Sequence, residues 1–380
     1  MPEQEPRAPR IAVLGMSITE FCGVKDHATL LAEELRGEGI TCTMHWLIRD
    51  ERSARAGRAE IDAWLERLSV ELRDARPDVI LLHYSVFAYS HSGLPLFVAR
   101  TLRRLRATGA TVIVVMHEFA YPWGRGGLRG RIWAITQRLA LIDVMRTAAA
   151  ALFTTEDRAL WVRSRRWLPG RPVLVAPVFS NLPQSSRRDV QRGLLGLFGY
   201  SYDPAAVGLV LDAVRRLVDD SRELRLTLLG SPGSESPSGR AWREGAQARG
   251  LAGSLSFSGT LAPQDLSDAL AACDVLLFVA SAGPSSRKGT LAGSLASGRP
   301  VVATDGPNRW IELVESDAAL VVESTADALA DAIGGLLLDE AGCDALGARS
   351  REFYLRRMSV ARTAGAVMEL IARTSVRNAL

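Results

Sequence analysis

The chain has 380 residues, of which 47% are hydrophobic and 23% charged, and its formal net charge is +4. This composition is typical of a globular protein, and the length exceeds what one hydrophobic core usually holds, so two domains are expected. The small positive charge does not indicate a nucleic-acid partner, and the four cysteines lack both C-x-x-C spacing and the density of a disulfide framework. A reduced, cytoplasmic protein with no signal peptide and no membrane span is therefore expected.

The first half of the chain alternates strand-like and helix-like segments. Strands are predicted at residues 11–16, 40–48, 78–85, 111–119, 150–155 and 173–178, and helices at 27–39, 59–75, 96–109, from Ile132 into the 140s, and at 156–167. The alternation predicts a doubly wound α/β domain. Residues 180–193, SNLPQSSRRDVQRG, are rich in Pro, Ser and Arg without periodicity, which is typical of a linker.

The second half repeats this alternation. Strands are predicted at 194–200, 224–230, 255–260, 274–280 and 300–304, and helices at 205–220, 240–250, 263–273, from Gly289 to Gly298, at 325–339 and at 358–376. The sequence therefore predicts two Rossmann-like domains, 1–182 and 183–355, that face a cleft, followed by a helix over 356–380 that packs back on the first domain.

An Arg-Lys pair precedes one of these helices. Arg287 and Lys288 stand directly before Gly289-Thr290, at the carboxyl end of a predicted strand. Ligands of open parallel sheets bind at that end, and a helix start favours anions. Lysine occurs only at Lys25 and Lys288 in this arginine-rich chain, and both follow a strand. A solvated surface pair remains the alternative.

All five histidines lie in the first half of the chain. His83 and His117, the latter followed by Glu118, come at predicted strand ends, and His27 follows Lys25 and Asp26 after the first strand. As a set these three favour a binding role over a purely structural one. His27, with Asp26 beside it, is a candidate acceptor base if the reaction inverts configuration.

Several strings together resemble the glycosyltransferases of the GT-B fold, in particular family 4. The resemblance spans roughly Arg10 to Ile371 and rests on CGVKDHATLLAEELRGEG, RPDVILLHYS and VIVVMHEF in the first half. In the second half it rests on LTLLGSPG, LSFSGTLAPQDLSDALAACDVLLFVAS, LASGRPVVATDGPNRWIELVE and MSVARTAGAVMELI. It implies a hexosyltransferase-like enzyme that takes a nucleotide-diphosphate-sugar as co-substrate and uses no other cofactor.

The resemblance also implies site residues. The donor site comprises Gly199, Gly230, Ser258, Ser286, Arg287, Lys288, Gly289, Thr290, Asn308 and Glu312, and the acceptor site comprises Gly23, Lys25, Asp26, His27, His83, His117 and Glu118. The expected catalytic residues are Arg287, Lys288, His27 and Glu312. Aromatic residues in the acceptor loops, Tyr84, Phe87, Tyr89, Tyr121 and Trp123, indicate an acceptor with apolar or ring surfaces, such as a natural product, a glycan or a lipid-linked sugar.

This sequence departs from the family in one respect that concerns the donor. The family usually carries two glutamates with seven residues between them, and the corresponding positions here are Ser285 and Gly293. The Arg and Lys that usually follow the first strand of the donor domain are absent too. We therefore expect the Arg287–Lys288 pair to supply the charge that binds the donor diphosphate.

No Asp-x-Asp motif and no His/Cys ligand cluster is evident in the sequence, so the expected reaction is metal-independent. The expected reaction also retains configuration, and such a reaction needs no acceptor base because the leaving phosphate can accept the proton of the acceptor. Two alternatives stay open, a nucleotide-sugar 2-epimerase and a non-catalytic sugar-nucleotide-binding relative. The expected partners are a small-molecule donor and acceptor. The basic stretch WGRGGLRGRIW, 123–133, leaves open a weak peripheral membrane contact, with a solvated arginine-rich surface as its alternative.

Overall fold

The structure is a computed structural model that describes residues 7–20, 22–89, 91–186, 189–199, 204–219, 223–230 and 233–378. It divides into two compact units, one formed by Met1–Pro177 with Val360–Leu380 and the other by Val178–Ser359. Each unit contains a six-stranded sheet whose neighbouring strands are parallel. The predicted pair of doubly wound α/β domains is confirmed.

In the first unit each strand except the last is followed by a helix. The strands are β1 (Arg10–Ser17), β2 (Thr41–Ile48), β3 (Val79–Tyr84), β4 (Thr111–Met116), β5 (Ala150–Phe153) and β6 (Val173–Val175), and the helices are α1 (Gly23–Gly37), α2 (Ala54–Ala75), α3 (Val98–Arg106), α4 (Gly127–Thr147) and α5 (Glu156–Arg163). The strand order is β2-β1-β3-β4-β5-β6. The order therefore reverses between β1 and β3.

The second unit is built in the same way. Its strands are β7 (Gln191–Phe198), β8 (Arg225–Leu229), β9 (Leu255–Phe257), β10 (Cys273–Phe278), β11 (Val301–Thr304) and β12 (Leu320–Val322), and its helices are α6 (Pro204–Asp219), α7 (Pro237–Ala248), α8 (Pro263–Ala272), α9 (Gly289–Ala296), α10 (Ile311–Glu315), α11 (Ala326–Leu338) and α12 (Glu340–Arg357). The order β12-β11-β10-β7-β8-β9 reverses between β7 and β10.

The last helix, α13 (Val360–Asn378), contacts α1, β5 and β6, which are all elements of the first unit. The units divide after Pro177 and after Ser359, not after residues 182 and 355. Hydrogen bonds explain the first difference, because the Val178 amide donates to the Ser286 carbonyl at 2.8 Å. The Ser185 hydroxyl likewise donates to the Asp268 carboxylate at 2.6 Å. Over its described residues, much of the predicted linker is therefore part of the second unit.

Three elements of the second unit lie outside the sequence prediction. Strand β12 and helix α10 have only three and five residues, which is too short for a periodic pattern. Helix α12 is long, but its buried face contains Gly347 and Ser350 among Cys343, Leu346 and Phe353. Small and polar residues on a buried face remove the hydrophobic signal from which a helix is predicted.

A glycine determines how closely β1 and β2 pack. Gly15 lies opposite Trp46 in the parallel ladder, and the indole of Trp46 covers it. A Cβ on Gly15 would lie 2.2 Å from the Trp46 ring, while the ring nitrogen donates to the Ser17 hydroxyl at 3.1 Å. The indole is thus held in place by both a contact and a hydrogen bond, so it has little freedom to move away.

We predict that Gly15→Ala destabilises the protein by about 1–3 kcal/mol, the usual cost of forcing extra volume into a packed core. Gly37→Ala is the matched control, because nothing lies within 4 Å of a Cβ at that helical position. The midpoint of urea unfolding, followed by circular dichroism, measures both variants. If the unfolding midpoint of Gly15→Ala is equal to or higher than that of the control, the Trp46 ring moves aside without cost and the prediction is wrong.

Candidate functional site

The predicted donor residues lie along one edge of the second sheet. Gly199 follows β7, Gly230 follows β8, Ser258 follows β9 and the Arg287–Lys288 pair follows β10. Strands β7 and β10 are neighbours at the point where the strand order reverses. In open parallel sheets this is the edge and the position at which ligands bind, because the adjoining crossover helices leave to opposite faces.

Helix α9 begins at Gly289, directly after the two cations, and this predicted helix start is confirmed. Lys288 is the N-cap residue, and its side chain accepts no hydrogen bond from the helix. A lysine cannot accept one, so the first amides of α9 have no side-chain cap. Uncapped amides at a helix start can donate to an anion.

The two cations have no counterion among the residues that the structure describes. Arg287 is exposed and Lys288 is half-buried, and neither side chain has a hydrogen bond or ion pair with any residue that the structure describes. Burial lowers the pKa of Lys288, and the neighbouring Arg287 guanidinium lowers it further. A bound anion would offset both effects. Among the described residues the pair therefore forms no internal salt bridge, and its position makes it a candidate for binding an anion.

Glycine lets the first loop approach α9. Gly199 has a φ of +64°, and a Cβ there would lie 2.5 Å from the methyl group of Thr290. Gly230, with a φ of +87°, donates its amide to the Ser258 hydroxyl at 3.0 Å. The predicted residues after β7, β8 and β9 are thus connected to their neighbours by contacts that small residues permit.

Two other predicted donor residues lie in the segment after β11. The Asn308 amide donates to the Ala282 carbonyl at 2.8 Å, which joins this segment to the loop that carries the cations. Glu312 forms an ion pair with Arg357 at 2.9 Å, so its carboxylate already has a structural partner. Sequence reasoning did not indicate that ion pair, because Arg357 lies 45 residues further along the chain.

Ser286, the remaining predicted donor residue, is buried, and its carbonyl accepts the bond from Val178. Gly293, at a position where the family resemblance implies glutamate, faces the Phe198 ring, and a Cβ there would lie 2.9 Å from it. A longer side chain at this position would displace Phe198, which explains why α9 carries no glutamate there.

Three histidines meet at the carboxyl edge of the first sheet. His27 is on α1, His83 in β3, and His117 follows β4. The His83 and His117 rings are stacked, with Nδ1 of His83 3.0 Å from Nε2 of His117, and the His27 ring lies edge-on to both at centroid distances of 5.7 and 4.9 Å. The structure thus brings together the three histidines that the sequence analysis grouped.

These imidazoles are neutral near pH 7. Burial, with a smaller contribution from the other imidazoles, lowers the pKa of His27 and His83 well below the ordinary value. Burial, together with the Arg158 guanidinium, lowers the pKa of His117 to about 4. A histidine that resists protonation is a poor proton acceptor, which disfavours His27 as an acceptor base.

The expectation that no histidine ligand cluster exists is wrong. One nitrogen from each of His27, His83 and His117 lies within 4.8 Å of the others, and no other such group of potential metal ligands occurs in the described part of the chain. Neutral imidazoles are good metal ligands as well as good hydrogen-bonding groups. Spacing along the sequence could not reveal the cluster, because its members are 56 and 34 residues apart and come together only through β-sheet order.

The other predicted acceptor residues surround this cluster. Gly23 and Asp26 are exposed on the first turn of α1, and Lys25 between them is half-buried. Glu118 accepts a hydrogen bond from the Ser85 hydroxyl at 3.3 Å. Two of the predicted aromatic contacts are wrong, because Tyr84 and Tyr89 are buried in the hydrophobic core of the first unit.

Two cavities lie away from the carboxyl edges. One of about 690 Å³ borders Arg10, Asp78 and Gly109, near the amino ends of the strands in the first unit. The other, about 100 Å³, lies between α9 and α12 and borders Ser267, Gly293 and Tyr354. Neither contains the unpaired cations or the histidines, so neither competes with the two edges as the candidate site.

Comparison with protein families identifies the second unit. Residues 193–339 match the family model described as "Glycosyl transferases group 1". The second unit is therefore similar to a glycosyltransferase domain over most of its length. This match supports a glycosyltransferase enzyme, as the sequence analysis predicted. No curated protein sequence matches the chain.

Solved structures with the same fold extend the comparison to both units. A sucrose-phosphate synthase from Thermosynechococcus elongatus has a TM-score of 0.68 at 16% identity, over 97% of this chain and 100% of that one. Anabaena HepE, solved in complex with UDP and glucose, has a TM-score of 0.66 at 14% identity, over 96% and 100%. A protein from Listeria monocytogenes described as a UDP-N-acetylglucosamine 2-epimerase has a TM-score of 0.63 at 14% identity, over 95% and 96%. The fold is the two-domain GT-B fold.

None of the described helices is long and apolar enough to cross a bilayer.

We predict that the stability of the protein falls between pH 6.5 and about pH 4 through the histidine cluster. The pKa values of all three histidines are depressed in the folded state, so the unfolded chain binds protons first as the pH falls. This contribution is complete above the ordinary value of 6.5 and is lost toward the folded value, about 4 for His117. Unfolding midpoints across this range should fall less steeply for His117→Gln than for the unmodified protein. If the unfolding midpoints of the two proteins fall equally steeply with pH, His117 does not contribute to this loss of stability.

Proposed function

We propose that this protein transfers a sugar from a nucleotide-diphosphate-sugar to an acceptor, with the donor bound by the second unit and the acceptor by the first. The observation that carries the proposal is the Arg287–Lys288 pair. Two adjacent cations without described counterions precede the uncapped start of α9, at the reversal of strand order. A diphosphate supplies the negative charge that these groups lack.

The leaving diphosphate gives the cations a catalytic role. As the bond between the anomeric carbon and the phosphate oxygen breaks, negative charge grows on that oxygen and positive charge on the sugar. Arg287, Lys288 and the first amides of α9 stabilise the growing negative charge more than they stabilise the ground state. Because these groups are already oriented, little reorganisation is required when the bond breaks.

The reaction that we propose retains configuration. The acceptor hydroxyl attacks the anomeric carbon from the face that the diphosphate leaves, and its proton passes to the departing phosphate oxygen. No separate base is then required, which agrees with the depressed pKa of buried His27. His27, His83 and His117 act instead as neutral hydrogen-bonding groups for acceptor hydroxyls.

The structural neighbours support a nucleotide donor. The Anabaena protein was solved with UDP and glucose, and the Thermosynechococcus protein is a sucrose-phosphate synthase. The 2-epimerase among the neighbours shares the fold, so an isomerase remains the second candidate. Incubation with donor alone separates the two activities, because an epimerase converts its substrate without an acceptor.

We predict that Lys288→Met weakens binding of a nucleoside diphosphate and lowers kcat by roughly a hundredfold, or about 3 kcal/mol, the typical effect of removing one oriented charge donor. Methionine keeps the length of the side chain and removes the charge. Binding of the free nucleoside should change little, since it carries no phosphate. Isothermal titration calorimetry with both ligands measures this difference in affinity.

Lys25→Met is the matched control, because Lys25 is the other lysine of the chain and is also half-buried. It should leave nucleoside diphosphate affinity unchanged. Arg243→Ala, which removes an exposed arginine paired with Glu235, controls for a general loss of positive charge. If Lys288→Met and the unmodified protein bind the diphosphate equally well, Arg287 and Lys288 are solvated surface charges and the proposal is wrong.

We also predict that transfer requires no divalent metal, since positive side chains and helix amides provide the charge for the diphosphate. Exhaustive chelation should leave turnover within about twofold, and added Mg²⁺ or Mn²⁺ should not raise it. A bound metal would be expected at the histidine cluster, because that cluster is the one group of potential metal ligands among the described residues. Metal content measured before and after chelation, in the unmodified protein and in His117→Gln, shows whether that cluster carries an ion. Turnover lost on chelation and restored by metal would contradict the prediction.

A further inference from the structure

Helix α4 of the first unit presents an apolar stripe to solvent. Leu128, Ile132, Ile135 and Leu139 are 75%, 45%, 49% and 58% exposed. At about 100° per residue these four side chains fall within roughly 60° of the helix circumference, and at 1.5 Å per residue they extend over about 16 Å. Four large apolar side chains in one row form a continuous surface, whereas scattered exposed apolar residues are ordinary.

The orientation of this stripe is fixed by the opposite side of the helix. Ala134, Leu141 and Val144 are buried there, and so is Gln137. The Gln137 side chain accepts from the Tyr121 amide at 2.7 Å and donates to the Gly93 carbonyl at 2.8 Å. Rotation that buried the stripe would break these bonds, so it remains exposed in the folded unit.

Positive charge surrounds the stripe. Between Glu118 and Asp143 the sequence contains four arginines and no acidic residue. Arg129 and Arg131 are exposed on the helix itself, and Arg125 is exposed in the loop that leads to it. The charge beside the stripe is therefore predominantly positive, and half-buried Asp143 is the only acidic residue of α4.

Tryptophan adds a second feature of the same surface. Trp123 is 57% exposed beside the start of α4, and the Arg138 guanidinium lies 4.4 Å from the centre of its ring. The Arg129 guanidinium similarly lies 4.7 Å from the Trp133 ring. Paired tryptophan and arginine side chains are suited to the boundary between lipid headgroups and acyl chains. The apolar part of the pair can contact the acyl chains there while its polar part stays hydrated.

We propose that the exposed face of α4, comprising Leu128, Ile132, Ile135 and Leu139 with Arg125, Arg129, Arg131 and Trp123, docks on an anionic lipid bilayer. The apolar row enters the headgroup region, and the arginines contact lipid phosphates. A second copy of the chain fits this face less well. Two copies related by a two-fold axis would bring the same arginines together with only Asp143 of each α4 to neutralise them, whereas an anionic leaflet neutralises them all.

Docking of α4 has a consequence for the acceptor, and this step rests on the proposed function. Gln137 connects α4 to the segments that follow β3 and β4. His83 lies near the end of β3, and His117 and Glu118 follow β4, so these residues are at the same edge of the sheet. Attachment of α4 to a bilayer brings that edge of the first sheet close to the lipid surface. An acceptor anchored in the membrane, such as a lipid-linked sugar, is the class that could reach it there.

The test is flotation of the full chain with lipid vesicles. Vesicles of phosphatidylcholine alone are compared with vesicles containing about 30% phosphatidylglycerol, at low and at 0.5 M salt. We expect at least tenfold more protein with the anionic vesicles, and a marked decrease at high salt. Ile132→Ser combined with Ile135→Ser should reduce binding at least tenfold, as should Arg129→Gln combined with Arg131→Gln.

Leu338→Ser combined with Leu355→Ser is the matched control, because these leucines are 76% and 53% exposed on helices of the second unit. The control should float like the unmodified protein. Circular dichroism and nucleoside diphosphate binding should be unchanged in every variant, so failure of docking and failure of the donor site are measured separately. Absence of flotation with anionic vesicles would overturn the proposal. So would equal loss in the control, or a dimer in sedimentation that the Ile132 and Ile135 substitutions abolish.

Discussion

Parallel strand pairing is the constraint on which the candidate site depends. When all six strands of a sheet run the same way, every connection to the next helix leaves from the same edge, and side chains distant in sequence meet there. His27, His83 and His117 come together for this reason in the first unit, and the loops that contain Gly199 and Lys288 do so in the second. Because each strand order reverses once, two adjoining connections diverge to opposite faces and leave the edge between them open.

The two edges have opposite chemical character although their topology is similar. The edge of the first unit carries buried imidazoles whose depressed pKa values keep them neutral, which suits hydroxyl groups. The edge of the second unit carries positive charge, with no ion-pair partner in the described parts of the chain, beside glycines that allow close approach of a ligand. A hydroxyl acceptor and a diphosphate donor require this same difference. The assignment of acceptor and donor to the two units therefore rests on electrostatics as well as on resemblance.

The sequence was most informative where a residue type has few structural alternatives. Dense β-branched segments predicted most strands, and Gly289-Thr290 predicted the start of α9. Prediction failed where tertiary contacts determine the outcome. Tyr89 occurs in a loop-like string, yet it is buried because the turn after β3 folds into the core, and Tyr84 is buried as the last residue of β3 itself. The ion pair between Glu312 and Arg357 was not expected, because the pattern did not indicate α12, which supplies Arg357. The histidine cluster required the strand order, which no local pattern contains.

The choice of lysine at position 288 follows from its half-buried environment. Nearly every cation of this chain is arginine, and a guanidinium presents five donors in a rigid plane that are costly to leave unpaired. An ammonium on a flexible stem can turn toward whatever anion is present, and its pKa responds to burial. Burial and Arg287 lower the pKa of Lys288 in the empty site, and a diphosphate would raise it again. Under the proposed function, binding of the donor and retention of the positive charge on Lys288 are therefore coupled, and departure of the diphosphate removes the interaction that stabilises that charge. An arginine at this position would remain charged whether or not a diphosphate is bound, so it would lack this coupling.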